Sequence, residues 1–404
     1  MIGISKLYCG TVEPSDLLRY RRLSRELPSH LLQFSEDKKP VIAWNMTRAC
    51  NLSCIHCYAS ATKKPADDEL NYNEARALVQ HLTDFGVPVI LFSGGEPLLH
   101  PHIFKLVDLA VRNGTRAVLS TNGLLLTEKY ATKLKDIGLS YVGISLDGLS
   151  EHHDFMRGQK GAFEQALKAI AIAKQAGLKV GLRLTMTRSN YQDIGTIFDL
   201  LEAESIPRIC FYHLVDNGQR TDLLSEKLSA EETRKAVDLI AQRTAQLYRK
   251  GYSPEVLTVD NQADGPYLYL KMKEEGRHEE AENVLELLRL NGGSSSGHGI
   301  GSISWDGAVY PDQFWRTRVL GSVREKPFAE IWHDESNELL MKLKEKKKYL
   351  TGRCRICVFL YHCGGGLRAR ADFASGDIWA PDPACYLTDE EISASGRTFL
   401  AAEM

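Results

Sequence analysis

The sequence predicts an α/β protein built around a parallel sheet. Six short β-like runs alternate with amphipathic helical stretches between residues 40 and 222, and such alternation is typical of parallel sheets. The first four runs end directly in polar turns, which would meet at the carboxyl edge of the sheet, where barrel enzymes place their active sites. These observations leave two architectures open, a doubly wound sheet and an incomplete barrel.

The predicted elements follow one another closely. The strands are apolar runs, and the helices carry apolar residues three or four positions apart and often end near glycine. The predicted strands are 41–46, 87–93, 116–121, 141–146, 179–185 and 208–213, and the predicted helices are 73–85, 103–113, 162–176 and 194–203.

Length and composition set the class of protein. A chain of 404 residues has room for one large and one smaller domain. With 43% hydrophobic and 25% charged residues it reads as a globular protein, and a net charge of −2 argues against nucleic-acid binding. We find no run of about eighteen apolar residues and no secretory leader, so the sequence predicts a cytoplasmic protein.

Outside the strand–helix region the chain changes character. Residues 1–39 are polar and interrupted, whereas long charged helices are predicted at 231–249 and 279–288. We therefore expect four parts: an N-terminal extension at 1–39, a barrel domain at 40–222, a helical connection at 223–297 and a smaller C-terminal domain at 298–404.

Seven of the nine cysteines fall into two sets, which in a cytoplasmic chain indicates metal or redox chemistry rather than disulfides. Cys50, Cys54 and Cys57 have C-x3-C-x2-C spacing directly after the first strand. Structural zinc takes four ligands, but an iron–sulfur cubane can take three thiolates and leave one iron open. Buried structural cysteines are the weaker alternative. The lone Cys9 is interpreted as a small buried residue.

Polar residues at the next three strand ends are candidate contacts to one ligand. Adjacent glycines let backbone carbonyls approach a ligand ammonium, and the amide, hydroxyl and carboxylate that follow suit a nucleoside. Asn-Gly and Asp-Gly pairs are also common turn formers. Four polar turns at the ends of successive strands, the first of them the cysteine loop, nevertheless favour a shared ligand. The candidates are Gly94, Gly95, Glu96, Pro97, Asn122, Ser145 and Asp147.

The second cysteine set is larger and predicts a closed site. Cys354, Cys357 and Cys363 have C-x2-C-x5-C spacing, and Cys385 is a fourth candidate ligand. Four thiolates suit either zinc or an iron–sulfur cluster, and the spacing leaves both open.

CNLSCIHCY, SGGEP and SLDG resemble the motifs of the radical S-adenosylmethionine (SAM) superfamily. The resemblance implies a partial (βα)6 TIM-like barrel and a 4Fe–4S cluster on Cys50, Cys54 and Cys57, whose open iron binds the methionine end of SAM. It also implies that SGGEP holds the amino group of SAM and SLDG the ribose. Tyr58 would then pack on adenine, and Arg183 would contact the SAM carboxylate.

The C-terminal region resembles the SPASM/twitch auxiliary-cluster domain of radical SAM enzymes. The resemblance implies a second 4Fe–4S cluster on the four later cysteines, serving either as an electron acceptor or as a structural element. Val309-Tyr-Pro-Asp312 has Asp312 where peptide-modifying relatives have cysteine. One auxiliary cluster rather than two is therefore expected.

MIGISKLYCGTVEPSDLLRY and LPSHLLQFSEDKKPVIAWNMTRACNLSCIHCY resemble the tetrapyrrole-modifying branch, and most of all its didecarboxysiroheme deacetylases. The resemblance implies haem (porphyrin) biosynthesis, in which a 5′-deoxyadenosyl radical from SAM initiates loss of two acetate arms from 12,18-didecarboxysiroheme, giving Fe-coproporphyrin III. A ferredoxin- or flavodoxin-type donor would supply electrons. Three alternatives are propionate removal in haem d1 synthesis, maturation of a ribosomal peptide and a non-catalytic electron-transfer protein.

A substrate with several carboxylates needs cationic anchors, and arginine holds carboxylates in a bidentate fork. A histidine could also ligate the substrate iron, although lone histidines are usually structural. No catalytic acid or base is predicted. The candidate anchors are Arg188, Arg316, Arg318, Arg368 and Arg370, and the candidate iron ligands are His213 and His298.

Overall fold

The computed structural model describes residues 1–10, 39–216 and 221–393. Its centre is one eleven-stranded sheet, in the order β1-β8-β7-β6-β5-β4-β3-β2-β9-β10-β11. The strands are β1 Ile2–Gly3, β2 Val41–Asn45, β3 Val89–Ser93, β4 Arg116–Thr121, β5 Tyr141–Ser145, β6 Val180–Met186, β7 Arg208–His213, β8 Glu255–Val259, β9 Ile300–Ile303, β10 Ala308–Tyr310 and β11 Gly321–Ser322.

Strands β2 to β8 are parallel and lie side by side in chain order. Helices connect them, and further helices follow β11. They are α1 Tyr72–Phe85, α2 Ile103–Arg112, α3 Glu128–Asp136, α4 Ser150–Arg157, α5 Ala162–Gln175, α6 Ile194–Ala203, α7 Ala230–Arg249, α8 Asp264–Glu274, α9 His278–Asn291, α10 Phe328–Trp332, α11 Glu338–Lys344, α12 Gly352–Arg355, α13 Leu360–Cys363, α14 Arg368–Ser375 and α15 Asp389–Ile392.

The six predicted strands are confirmed, with β4 and β7 at the predicted bounds. Local signals fix the helices as well. Helix α1 begins at an Asn71–Glu74 capping box and ends at Gly86, whose φ of 89° lies in the left-handed region that favours glycine. Since the strands are parallel, the loops that follow β2 to β5 all lie at one edge of the sheet.

The stretch predicted as a purely helical connection contains a seventh parallel strand. β8 pairs with β7 in parallel, and Ile2 pairs antiparallel with Thr258 of β8. The beginning of the N-terminal extension therefore belongs to the sheet, whereas residues 11–38 lie outside the described residues. Helix α8 then begins at Asp264.

The C-terminal region continues the sheet at its other end. β9 runs parallel to β2, so that Trp44 and Ile303 pair, and β10 and β11 follow as antiparallel strands. The carboxyl end of β9 thus lies at the same edge as the cysteine loop. None of the helices in the described ranges is long and apolar enough to cross a membrane.

The two faces of the parallel strands differ. On the outer face large apolar side chains pack under the helices, as Phe211 of β7 stacks on Phe198 of α6 with ring centroids 5.6 Å apart. On the inner face two glycines leave room for polar side chains. A Cβ on Gly143 would lie 2.3 Å from Arg183 Nε, and one on Gly181 would lie 2.2 Å from the Tyr141 hydroxyl. The interior of the curved sheet is therefore partly polar.

Candidate active site

The first cysteine loop is held in place by backbone hydrogen bonds. Cys50 N donates to Thr62 O at 2.7 Å, and Ile55 N donates to Met156 O at 3.0 Å, which ties the loop to α4. Backbone N–H groups also reach the sulfurs, since Leu52 N lies 3.4 Å from Cys50 Sγ. Such donors stabilise thiolates.

The loop supplies three thiols, one fewer than the four ligands of a structural zinc site and enough for an iron–sulfur cubane with one open iron. Burial raises the pKa of Cys50 to about 11 and also raises that of Cys54. A coordinated metal deprotonates such thiols, so the donor set fits an iron–sulfur cluster.

The glycine pair after β3 is required by the cysteine loop itself. A Cβ on Gly95 would lie 2.1 Å from Ala49 O, and one on Gly94, whose φ is 137°, would lie 2.6 Å from Thr47 O. Gly95 N and Glu96 N donate to these same two carbonyls, each at 2.7 Å. The backbone of the glycine pair thus lies in close contact with the backbone that leads into the cysteine loop.

Glu96 connects the second and third strand-end turns. Its side chain is fully buried and accepts hydrogen bonds from Leu98 N, Thr121 Oγ1 and Asn122 N at 3.0, 2.8 and 2.9 Å. Burial raises the pKa of Glu96 to about 7, although these donors oppose the shift. Pro97 begins a single 3-10 turn that ends at Leu99. Both residues therefore shape the turns.

We expect Glu96→Gln to change how stability depends on pH. Between the unfolded pKa of about 4.3 and the folded pKa of about 7, the folded chain binds one proton more, so wild-type stability falls as pH rises. Glutamine does not titrate. Chemical denaturation should show the wild-type free energy of unfolding falling relative to that of the variant, by about 3 kcal/mol from pH 4.5 to 7.5.

Glu74→Gln is the control for this experiment. The pKa of Glu74 is lowered by hydrogen bonds from Arg324 and Asn71, so the difference in free energy of unfolding between wild type and Glu74→Gln should not change with pH above pH about 4.5. A pH-independent difference for Glu96→Gln would contradict this assignment.

Asn122 faces the cysteine loop. Its Nδ2 donates to Asn51 Oδ1 at 2.8 Å and lies 3.9 Å from Cys50 Sγ, while its Oδ1 accepts from Leu124 N. Both ends of the Asn122 amide therefore hydrogen-bond to protein groups. Because the amide lies beside the Cys50 sulfur, it also lies next to any group that the cysteine loop binds.

The carboxylate of Asp147, a predicted ribose contact, is bound by protein groups. Its side chain is fully buried and lies 2.5 Å from Arg157 Nη2 and 3.2 Å from His56 Nε2. Thr185 N also donates to it at 2.8 Å. Burial alone would raise the pKa of Asp147, but Arg157 and His56 hold it well below its usual range. Ser145, at the end of β5, is only partly buried.

His56 and Arg157 were not identified from the sequence, although they belong to the same cluster of charges. Arg157, at the end of α4, donates through Nη1 to Cys54 Sγ at 3.6 Å while Nη2 contacts Asp147. One guanidinium thus joins the cysteine loop to the SLDG turn. The sequence signal was slight, because arginine at a helix end is common on protein surfaces.

Tyr58 and Arg183 lie on the inner side of the sheet. The Tyr58 hydroxyl donates to Asn45 Oδ1 at 2.9 Å and lies 3.3 Å from Ser93 Oγ, and its ring packs edge-on against Phe314 at 5.4 Å. Arg183 lies against the Tyr212 ring at 5.8 Å. Its Nε is buried, and it has no hydrogen bond or ion pair to any residue in the described ranges. An unpaired buried cation is costly unless an anion binds it.

The four later cysteines line one cavity, whose apolar walls include Phe359 and Ile392. Burial raises the pKa of Cys357 to about 11 and also raises that of Cys385. Four thiols that line one cavity can ligate either zinc or an iron–sulfur cluster.

Comparison with known proteins decides the family. The Radical SAM superfamily model matches residues 44–201, and the model of SPASM, an iron–sulfur cluster-binding domain, matches residues 297–358. Over 395 residues the chain is 57% identical to Fe-coproporphyrin III synthase of Methanosarcina barkeri, covering 97% of this chain and 99% of that protein. The chain belongs to the radical SAM superfamily.

Further relatives agree with this assignment. Pre-heme d1 synthase of Dinoroseobacter shibae is 38% identical over 87% of each chain. The mycofactocin maturase MftC of Mycolicibacterium smegmatis is 28% identical over 86% of this chain and 83% of that protein. As a radical SAM enzyme with a SPASM domain, the chain uses SAM, a 4Fe–4S cluster and an additional iron–sulfur cluster.

Two solved structures share the fold. Native anSMEcpe with bound AdoMet has a TM-score of 0.68 and 19% identity, covering 87% of this chain and 95% of that one. Streptococcus suis SuiB bound to the precursor peptide SuiA has a TM-score of 0.69 and 16% identity, covering 93% and 79%. The predicted partial barrel with a C-terminal cluster domain is confirmed at this level.

Asp312 has a clear structural role in this radical SAM chain. Its carboxylate accepts hydrogen bonds from Phe314 N and Trp315 N at 2.9 and 3.1 Å and from Ser296 Oγ at 2.6 Å. It is buried and shapes the turn after β10. The Asp312 carboxylate is therefore used for hydrogen bonds within the protein.

Most of the predicted substrate anchors are committed elsewhere. Arg188 pairs with Glu232 at 3.3 Å, Arg318 with Asp372 at 2.8 Å and Arg370 with Asp382 at 2.7 Å. Arg368 is fully buried and donates to three backbone carbonyls, those of Gly365, Ile378 and Ala380. Each of these four guanidiniums therefore already has protein partners.

The two predicted iron ligands are also placed differently. His213 shares the outer face of β7 with Phe211, since alternate residues of a strand point the same way, and its Nε2 lies 2.8 Å from Asp264 Oδ2. Tyr386 donates to the other Asp264 oxygen at 2.7 Å. His213 is thus a structural residue. His298 lies in a turn in which its N donates to Ser295 O at 3.0 Å.

Proposed function

We propose that this radical SAM enzyme removes the two acetate side chains of 12,18-didecarboxysiroheme to give Fe-coproporphyrin III in haem biosynthesis. The observation that carries the proposal is 57% identity to an Fe-coproporphyrin III synthase along nearly the full length of both chains. The 38% identity to pre-heme d1 synthase is much lower.

The same proposal assigns the metal sites. Cys50, Cys54 and Cys57 hold the SAM-cleaving cluster, and Cys354, Cys357, Cys363 and Cys385 hold the auxiliary cluster. When bound, the first cluster and SAM supply the reductive cleavage of SAM and the abstraction of a substrate hydrogen atom that are typical of the family. The chain's own part is to orient the bound groups and keep water out, which the buried turns after β2 to β5 support.

The SAM contacts follow from the strand ends. Backbone carbonyls of Gly94 and Gly95 bind the amino group, Ser145 binds the ribose, and Tyr58 packs near the adenine. Glu96, Asn122 and Asp147 position these groups through their hydrogen bonds, and Pro97 does so through its 3-10 turn. Arg183 binds the SAM carboxylate, since its side chain contacts the Tyr212 ring but its buried Nε has no hydrogen-bond partner in the described ranges.

The proposed enzyme has an electron-donating partner and four parts. The enzyme works in the cytoplasm and receives electrons from a ferredoxin- or flavodoxin-type protein. The four parts are an extension at 1–39, the radical SAM barrel at 40–222, a connection at 223–297 that adds β8 to the sheet, and the auxiliary-cluster domain at 298–404.

We expect Arg183→Gln to weaken SAM binding about 10- to 100-fold, because charge-assisted hydrogen bonds contribute about 1.5–3 kcal/mol. Anaerobic calorimetry on the cluster-loaded protein measures the affinity. Arg208→Gln is a matched control on the same face of the sheet, since Arg208 already pairs with Glu255 at 3.1 Å. Equal SAM affinity of Arg183→Gln and wild type would contradict the assignment.

Product identity tests the proposed reaction. The reconstituted enzyme is incubated anaerobically with SAM, a low-potential reductant and iron-didecarboxysiroheme, and the tetrapyrrole is identified by mass spectrometry. Loss of two acetate arms is expected. Loss of propionate arms would transfer the enzyme to the haem d1 branch instead.

A further inference from the structure

Arg188, Arg318 and Arg370 pair with carboxylates, and the fully buried Arg368 donates to three backbone carbonyls. Arg316 differs from both groups, because its guanidinium is only partly buried and no carboxylate among the residues that the structure describes pairs with it. We propose that Arg316 binds a propionate carboxylate of the tetrapyrrole substrate, a group that the product retains. This inference rests on the proposed function, because it takes the substrate to be a tetrapyrrole with acidic side chains.

The guanidinium of Arg316 is held rigidly at its position. Nη1 donates to Ala59 O at 2.8 Å, in the residue that follows Tyr58, and the group lies 4.2 Å from the ring centroid of Trp305. Arg48 lies against the same indole at 5.4 Å. Arginine that stacks on an aromatic ring is fixed in orientation and keeps its fork of N–H donors available.

The surrounding loop places this group beside the SAM site. The turn shaped by Asp312 carries Phe314, whose ring contacts Tyr58 at 5.4 Å. Tyr58 in turn lies at the ends of β2 and β3 through Asn45 and Ser93. Arg316 therefore lies between the cysteine loop and the C-terminal region, on the side of the sheet where the proposed SAM contacts converge.

The donors of Arg316 are only partly used. A guanidinium has five N–H groups. Here Nη1 donates to Ala59 O, Nη2 lies 3.5 Å from Ser304 Oγ, and the guanidinium is also hydrogen-bonded to the Tyr310 side chain, whereas Nε is buried without a partner. Keeping a partly buried cation without an anion lowers stability. A substrate carboxylate would supply both the missing acceptor and the charge. Arg183 is assigned to SAM, which leaves Arg316 for the second anionic ligand.

Binding of the tetrapyrrole product tests this role directly. Fe-coproporphyrin III and its neutral tetramethyl ester are titrated into the cluster-loaded wild type and into Arg316→Gln, and binding is followed by the tetrapyrrole absorbance. The variant is expected to bind the acid at least tenfold more weakly and the ester with unchanged affinity. Arg318→Gln is the matched control two residues away, because Arg318 is paired with Asp372, and it should bind both as wild type does.

Other outcomes decide against the proposal. Equal acid affinity of Arg316→Gln and wild type would overturn it, as would a loss of SAM affinity with tetrapyrrole binding unchanged. If wild type binds neither the acid nor the ester, the proposed function itself fails, so the two failures are distinguishable. Iron content verifies that the variant folds. Should Arg316→Gln fail to fold, Arg316→Lys keeps the charge but not the fork, and it should show an intermediate loss for the acid alone.

Discussion

Replacement of Cys54 by serine is expected to abolish SAM cleavage while leaving the auxiliary cluster intact. Cys54 is one of three proposed ligands in the first cysteine loop, and the cavity lined by the four later cysteines is formed by other residues. Two 4Fe–4S clusters contain about eight irons per chain, so the variant should keep about four. Iron analysis and the yield of 5′-deoxyadenosine under strong reductant measure the two effects.

Cys9→Ser is the control for this experiment. Cys9 ends a short helical turn at Ser5–Cys9 and belongs to neither cysteine set. It should retain the full iron content and SAM cleavage. A Cys54→Ser variant that forms 5′-deoxyadenosine at the wild-type rate would contradict the assignment of the loop.

Replacement of Asp147 by alanine is expected to lower the free energy of unfolding by about 3–5 kcal/mol. Asp147 is fully buried and is the carboxylate partner of Arg157, whose side chain is only 10% exposed. The variant would leave that guanidinium without a counter-charge in the interior. Denaturant unfolding of the cluster-free protein isolates this effect. In the cluster-loaded protein the Cys54 thiolate would partly compensate the charge of Arg157.

An exposed ion pair provides the matched control. Asp108 and Arg112 on α2 also form an Asp–Arg pair, at 2.8 Å, but Arg112 is 76% exposed. Asp108→Ala should cost under about 1 kcal/mol. Because Arg157 and His56 hold the pKa of Asp147 below its usual range, the Asp147→Ala deficit should be constant above pH about 4 and shrink only below it. Equal losses in the two variants would contradict the role of Asp147.

The parallel sheet was predictable because its signals are local. Arg116–Thr121 and Arg208–His213 are apolar runs between helices, and both match their predicted bounds. Glu255–Val259 was missed because five residues between two long charged helices give a weak strand pattern. Its identity as a strand depends on pairing with β7 and with Ile2, which is more than 250 residues away.

The site was predictable in its residue types but not in their partners. The spacing of cysteines and glycines indicates a cluster and a close backbone approach. It does not show that Gly95 makes room for Ala49, or that Asn122 and Asp147 bond to protein groups. Arginines 316 and 318 are likewise equivalent in the sequence. Only their surroundings, Trp305 for one and Asp372 for the other, separate them.

The most direct test of the account compares two products in one anaerobic reaction. Reconstituted enzyme, SAM, reductant and iron-didecarboxysiroheme are sampled over time, and 5′-deoxyadenosine and Fe-coproporphyrin III are quantified together by mass spectrometry. The account predicts one 5′-deoxyadenosine for each acetate arm lost and neither product in the Cys54→Ser variant. Formation of 5′-deoxyadenosine with an unaltered tetrapyrrole would contradict it.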